Sequence, residues 1–164
     1  MQKSKKMADA LVEHYYLNFE LGIEYLAISQ QIYKLGLTNL GHYIKSLAED
    51  KLTVHKDKLF NYIVDQDINL NGQINKINYV NYNKPVEAVK RILDQEGMVR
   101  EKLKQFSVDS LKEEDHETFH FLTWFVNDGT KDFAEVNEIY NLFSLSNDLL
   151  AIDHAVKDLM KHKC

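Results

Sequence analysis

Three carboxylates stand where helical periodicity places apolar side chains, and they are the residues of this sequence best placed to do chemistry. Glu96 lies on the stripe Val86, Val89, Leu93, Glu96, Val99 or Arg100, Leu103 and Phe106, a core position by its spacing. Glu20 shares a face with Leu17, Ile23, Glu24 and Ala27, so it has apolar neighbours one turn to either side. Asp132, with Gly129, falls on or beside the stripe set by Phe125 and Val136. A carboxylate taken out of water is rarely left unpaired, because its charged form is too costly there without a cation. For Glu96 the cation is either the guanidinium of Arg100, one turn on, or a metal ion. His116 and His120 also have the i, i+4 spacing of metal ligands, but no carboxylate cluster shares their face and they read as surface residues.

The elements that must hold these groups are long helices. Six Gly and the single Pro85 in 164 residues leave few enforced breaks. Leu11, Tyr15, Leu21, Tyr25, Ile28, Ile32 and Leu35 keep a helical beat over 5–34, ending near Gly36. Leu40, Ile44, Leu47, Val54, Leu59 and Ile63 mark a second helix over 38–65, with a charged interruption at Glu49, Asp50 and Lys51. The Asn-rich segment DINLNGQINKINYVNYNK, Asp67–Lys84, has no helical stripe. Extended at ~3.3 Å per residue it reaches ~55 Å, more than the ~42 Å of the helix before it, so it can cross the bundle and let the second and third helices run parallel.

Pro85 suits the first turn of the third helix, and Asp115 suits the N-cap of a fourth that ends near Ser144. In that helix ETFHFLTWFV, Glu117–Val126, is apolar around most of its circumference and has to be covered on more than one side. The Gly129 that follows costs a helix about 1 kcal/mol against Ala and asks for a reason. Past the Ser146-Asn147 break, Leu149, Ile152, Val156, Leu159 and Met160 lie on one face of a short fifth helix. A four-helix bundle does not need that face, which is expected to meet another subunit. The sequence thus predicts one all-α domain over 1–164, with the bundle in 5–144 and the fifth helix in 147–160.

Composition narrows the function classes. A net charge of −5 with no basic cluster beyond Lys3–Lys6 argues against nucleic acid as the main partner, and no run of about 18 apolar residues is present to span a membrane. The start MQKSKKMADALVEHYYL lacks a signal-peptide apolar region and the only cysteine is Cys164, so a cytoplasmic protein without an intrachain disulfide is expected. There is no internal repeat, no Gly-rich phosphate loop and no Cys-x-x-Cys.

Several stretches resemble the bacterial ferritins over nearly the whole chain: the Phe-Leu-x-Trp-Phe-Val run at Phe121–Val126, LFNYI at Leu59–Ile63, LLAIDHAVKDL at Leu149–Leu159, and the helix lengths with their crossover. The resemblance implies a ferritin-like four-helix bundle with one long crossover loop and a short fifth C-terminal helix, assembled as a homo-oligomeric shell of about 24 subunits. It also implies iron as the metal, two ions inside the bundle, and oxidation of Fe(II) to Fe(III). The ligand pattern it carries is a Glu on the first helix, Glu-x-x-His on the second, Glu on the third, and Gln and Glu on the fourth. Glu20 and Glu96 match the first and third helices, with Ala27 where a Tyr is common one heptad after the first-helix Glu. Gly129 takes the Gln position, and Asp132 a Glu position with a shorter side chain. On the second helix, alignment from YIKSLAED puts Lys51 and Val54 at the Glu and His positions, whereas alignment from LFNYI puts Leu52 and His55 there. The resemblance therefore implies an iron-ligand set drawn from Glu20, Asp50, His55, Glu96 and Asp132.

Two readings follow. One is an iron-storage shell with weak or absent ferroxidase activity; the other is a ferroxidase with a non-standard ligand set. Under the first alignment the Lys51 ammonium enters the pocket between Glu20 and Glu96 and neutralises carboxylates left without a metal. Otherwise Lys51 snorkels to the surface and Arg100 pairs with Glu96.

Overall fold

A computed structural model describes residues 2–75, 77 and 79–161; Cys164, on which the disulfide expectation rests, lies outside the described residues. Every regular element in that range is helical: α1 (Lys5–Lys34), α2 (Thr38–Asp50), a π-helical turn (Lys51–His55), α3 (Lys56–Asp65), α4 (Pro85–Lys112), α5 (His116–Leu145) and α6 (Leu149–Lys161). None of them is long and apolar enough to cross a membrane.

Local chemistry sets the ends. Ser4 caps α1 by accepting from the Met7 N–H at 3.1 Å, and Asp115 caps α5 by accepting from the Thr118 N–H at 3.1 Å. Gly36, at φ 82°, takes the left-handed conformation that lets the Leu37 N–H return to the Ile32 carbonyl at 3.4 Å. Pro85 opens α4 as expected.

The side chains joining the helices fix the topology. Glu13 meets Lys102, and Glu24 meets Arg91 and Gln95, so α4 runs antiparallel to α1. The crossover follows α1 in step: the Tyr16 hydroxyl donates to the Leu70 carbonyl at 2.6 Å, Glu20 accepts from the Asn75 N–H at 2.9 Å, and Gln31 bonds the Val80 carbonyl and the Tyr82 N–H. It returns the chain to the end of the bundle where α2 begins, which makes the second and third long helices parallel. This is the expected one-crossover arrangement.

The second long helix is one rod with a change of pitch. Between α2 and α3 the π-helical turn adds one residue to a turn of the rod, and this extra residue accounts for the one-residue disagreement between the two alignments. Lys51 at the start of the turn and His55 at its end are both buried. Gly22 lets α1 pass this turn closely, since a Cβ there would stand 2.5 Å from Leu52 Cγ.

The fifth helix corrects one expectation. Ile152 and Val156 are buried against the chain's own bundle rather than left for a partner, with Leu159 and Met160 partly buried beside them. Asp153 explains the docking: its carboxylate accepts from the Leu40 N–H at 2.8 Å, the Asn39 N–H at 3.3 Å and the Asn39 side-chain amide at 2.9 Å. Leu37, at the N-cap of α2, offers no side-chain hydrogen bond, so a residue over a hundred positions later satisfies the start of that helix.

Candidate metal centre

The middle of the bundle holds a polar island within an apolar core. On α1 the buried stripe is Leu11, His14, Tyr15, Asn18, Leu21, Gly22, Tyr25, Ile28, Ser29 and Ile32. Glu20 is not on it; at about 100° per residue it lies roughly 200° around the helix from Asn18. Its half-exposed carboxylate faces the crossover, where it holds the Asn75 N–H. Asn18 is the inward residue, with Tyr25 buried one heptad later. The Asn18 side-chain amide donates back to the His14 carbonyl at 2.8 Å.

Glu96 is fully buried, and its partner is the Lys51 ammonium, 3.1 Å from Oε1 and 3.4 Å from Oε2. The Tyr25 hydroxyl donates to Oε1 at 3.0 Å, and burial together with the Glu96 carboxylate holds that phenol protonated, well above its usual range. Arg100 takes no part, its guanidinium lying 4.6 Å from the Phe133 ring centroid. Of the two arrangements left open by the sequence, the ammonium in the interior is the one present, though it meets Glu96 and not Glu20.

One turn further along the rod, His55 Nε2 lies 2.9 Å from Asp128 Oδ2. The imidazole is wedged edge-on against Trp124 and Phe125, with ring centroids 5.2 and 5.6 Å away. Asp132 sits one turn after Asp128 on α5. Single donor atoms of His55, Asp128 and Asp132 all lie within 4.8 Å of one another, the one such His and carboxylate group among the described residues. Burial pushes the Asp132 carboxyl up to about 8, with Lys51 opposing and the Asp128 and Glu96 carboxylates adding to the rise. Asp128 moves the other way, held below its usual range first by its hydrogen bond with His55. His14, buried on the same stripe, is lowered to about 3 by burial and by the nearby His55 and Lys51.

Of the five residues the resemblance singled out, His55 and Asp132 come together and Glu96 stands close enough to act on Asp132 electrostatically. Glu20 turns to the crossover and Asp50 is exposed beside the turn. Asn18, Tyr25 and Asp128 were missed. The first two were legible as the centre of the inner stripe of α1, whose heptad pairs them; Asp128 was legible only as the i−4 neighbour of Asp132.

Residues 8–146 match the ferritin-like domain family. The chain belongs to that family. The ferritin-like chain is 36% identical to an uncharacterized protein of Ureaplasma parvum over 98% of its own length and 95% of the relative's. It is 35% identical to the homologous uncharacterized protein of Ureaplasma urealyticum over 98% and 94%. Among solved structures it superposes on the M. penetrans ferritin with a TM-score of 0.87 at 26% identity, covering 94% of this chain and 95% of that one. The open pore ferritin of Archaeoglobus fulgidus gives 0.84 at 19% identity over 93% and 95%, a likeness of fold alone.

Within this ferritin-like bundle the donor set does not fit a two-ion centre. Both Glu96 oxygens already face an ammonium, the α1 position carries a neutral amide turned onto its own helix, and Gly129 offers no donor atom. What is left for a cation is the His55, Asp128 and Asp132 group.

Proposed function

We propose that this chain is a subunit of a cytoplasmic iron-storage shell of about 24 copies that does not oxidise paired Fe(II) inside its bundle. The observation that carries the second half is the Lys51 ammonium lying against both oxygens of Glu96. A positive charge in a buried pocket repels a dication and uses the carboxylate that would bind it. Storage itself makes no such demand, since mineral growth needs an enclosed volume and acidic walls. With −5 per chain, about 24 chains carry roughly 120 negative charges, which enrich Fe(II) around the shell. Exposed apolar side chains on several flanks, including Ile23, Tyr79, Val80 and Leu150, give copies surfaces to share.

The test loads the protein with Fe(II) in air and follows both oxidation and the iron that stays with the protein. Slow, sigmoidal uptake into a large sedimenting particle is expected, with an initial rate close to the spontaneous one. Retention no greater than that of a denatured control overturns storage. A fast burst of about two irons per chain, as a two-metal site gives, favours the ferroxidase reading instead.

A further inference from the structure

We propose that Asn71, in the crossover, is a site of spontaneous covalent modification: in the folded protein it closes a succinimide with Gly72 and reopens as aspartate or isoaspartate. The inference does not depend on iron or on storage. It rests on how the crossover is laid against α1.

The tyrosine that pins the crossover also dictates the residue beside the pin. The Tyr16 hydroxyl holds the Leu70 carbonyl at 2.6 Å. Its ring lies so close to the following residues that a Cβ on Gly72 would stand 2.4 Å from Tyr16 Cε2 and 3.2 Å from Val12 Cγ1. Close approach therefore requires glycine at 72. A side chain on the residue after an asparagine is what ordinarily hinders attack by that residue's nitrogen on the asparagine amide, and here the packing has removed it. Every other asparagine of Asp67–Lys84 precedes a residue with a side chain, and Asn71-Gly72 is the one Asn-Gly pair in the chain.

Two further observations leave the reaction open. Asn71 and Gly72 are exposed and lie outside every helix, and Asn71 lines clefts of about 320 and 480 Å³ that admit water. Among the described residues, none accepts a hydrogen bond from the Gly72 N–H or bonds the Asn71 amide. Asparagines elsewhere differ in this respect. After Asn39 the Leu40 N–H is held by Asp153, and after Asn147 the Asp148 N–H is held by Ser146. Asn18, Asn61, Asn127, Asn137 and Asn141 lie within helices, where the ladder of backbone hydrogen bonds fixes the conformation.

The chemistry needs water alone. The Gly72 main-chain nitrogen, on losing its proton, attacks Asn71 Cγ and closes the succinimide ring. The Cγ–Nδ2 bond breaks, and Nδ2 leaves as ammonia, carrying in sum the proton taken from Gly72. Water then adds to one of the two imide carbonyls. Cleavage of the new Cγ–N bond gives aspartate; cleavage of the original peptide bond gives isoaspartate, with the main chain rerouted through Cβ and Cγ and the α-carboxylate set free. Nothing is oxidised or reduced.

The two products act differently on the crossover. Aspartate changes charge only, adding a carboxylate to a cleft lined by Asp9, Glu13 and Glu20, whose one basic lining residue, Lys102, already meets Glu13 at 2.7 Å. Isoaspartate also lengthens the main chain by a methylene between the pins at Leu70 and Asn75, which Tyr16 and Glu20 hold to α1. Tyr16 and Glu20 are one turn apart on a rigid helix, so the longer span falls out of step and the exposed Asn75 pin opens.

The experiment incubates the assembled full-length protein in heavy-oxygen water at mildly alkaline pH, which favours loss of the Gly72 proton, and maps the label by peptide mass. The peptide spanning Asn71-Gly72 is expected to take up heavy oxygen ahead of every other asparagine. Asn71→Gln should lose that label with its circular dichroism unchanged. In the isoaspartate form, hydrogen exchange at the Asn75 amide should rise toward that of an unbonded N–H, while Asn71→Asp, which carries the charge without the methylene, should keep most of the protection. The inference is overturned if the folded protein keeps Asn71 as the amide, whether or not the urea-unfolded chain converts it, or if another asparagine is labelled first. Unchanged Asn75 exchange in the isoaspartate form would overturn the opening of the crossover.

Discussion

Lys51 is the residue on which the interior depends. Its ammonium is 2% exposed as a side chain and Glu96 is 0% exposed, so neither charge can turn to water if its partner is lost. Removing one member of a buried pair costs on the order of 3–5 kcal/mol, whereas replacing both is often near neutral. Lys51→Met is therefore expected to lower the urea unfolding free energy by about that amount. The double variant Lys51→Met/Glu96→Gln, which keeps an acceptor for the Tyr25 hydroxyl, should recover most of the loss. Equal stability of wild type and Lys51→Met would show that the pair does not hold the core. His14 supplies a second prediction, this one in pH. Its folded value of about 3 lies below the 6.5 of an unfolded histidine, so the unfolded chain binds the extra proton between those values. Stability linked to His14 is complete above pH 6.5 and is lost as pH falls toward 3. At pH 4 the loss comes to about 3 kcal/mol at 1.36 kcal/mol per unit. Wild type should lose that much more than His14→Gln between pH 7 and pH 4, and parallel pH profiles would contradict it.

At the scale of the element, helix existence and several ends were readable because those ends have a local cause: Gly36, Pro85 and Asp115 all act within a few residues of where they stand. The facing of the helices was less readable. Glu20 was assigned inward because Leu17, Ile23 and Ala27 surround it in the helical projection, yet the stronger stripe through Leu11, Asn18, Tyr25 and Ile32 wins by burying more apolar area. A polar Asn at the centre of that stripe hid the register. The π-helical turn was legible only as a contradiction, two good alignments one residue apart; periodicity assumes a constant pitch and cannot express an inserted residue. Gly129 shows the reverse. Its conformation is ordinary helix and a Cβ would stand 3.6 Å from Leu103 Cδ1, a normal contact, so space does not require a glycine there. Nothing in the packing explains the choice.

At the scale of the whole molecule, the crossover and α6 decide how the chain closes, and they differ in what the sequence could reveal. That the segment could cross the bundle followed from its length. The role of α6 did not, because a free apolar face and one buried on the chain's own bundle have the same periodicity. The three hydrogen bonds of Asp153 to the start of α2 distinguish them, and they depend on a contact between distant parts of the chain. They also divide α6 into two faces with separable duties. Asp153, Ile152 and Val156 dock α6 on its own bundle, while Leu150, 71% exposed, stands open beside Leu145 at the end of α5, 80% exposed; under the proposed shell these two are the side chains for neighbours. Asp153→Ala should therefore lower subunit stability by about 1–2 kcal/mol, the range for loss of a helix N-cap, read as a shift of the urea midpoint. Leu150→Lys should leave that midpoint where it is and shift the sedimentation profile toward smaller species, because a charge at a buried contact between copies goes unpaired. If Leu150→Lys sediments like wild type, the α5–α6 corner is no contact between copies; if Asp153→Ala leaves the midpoint unchanged, α6 rests on the bundle without supporting it.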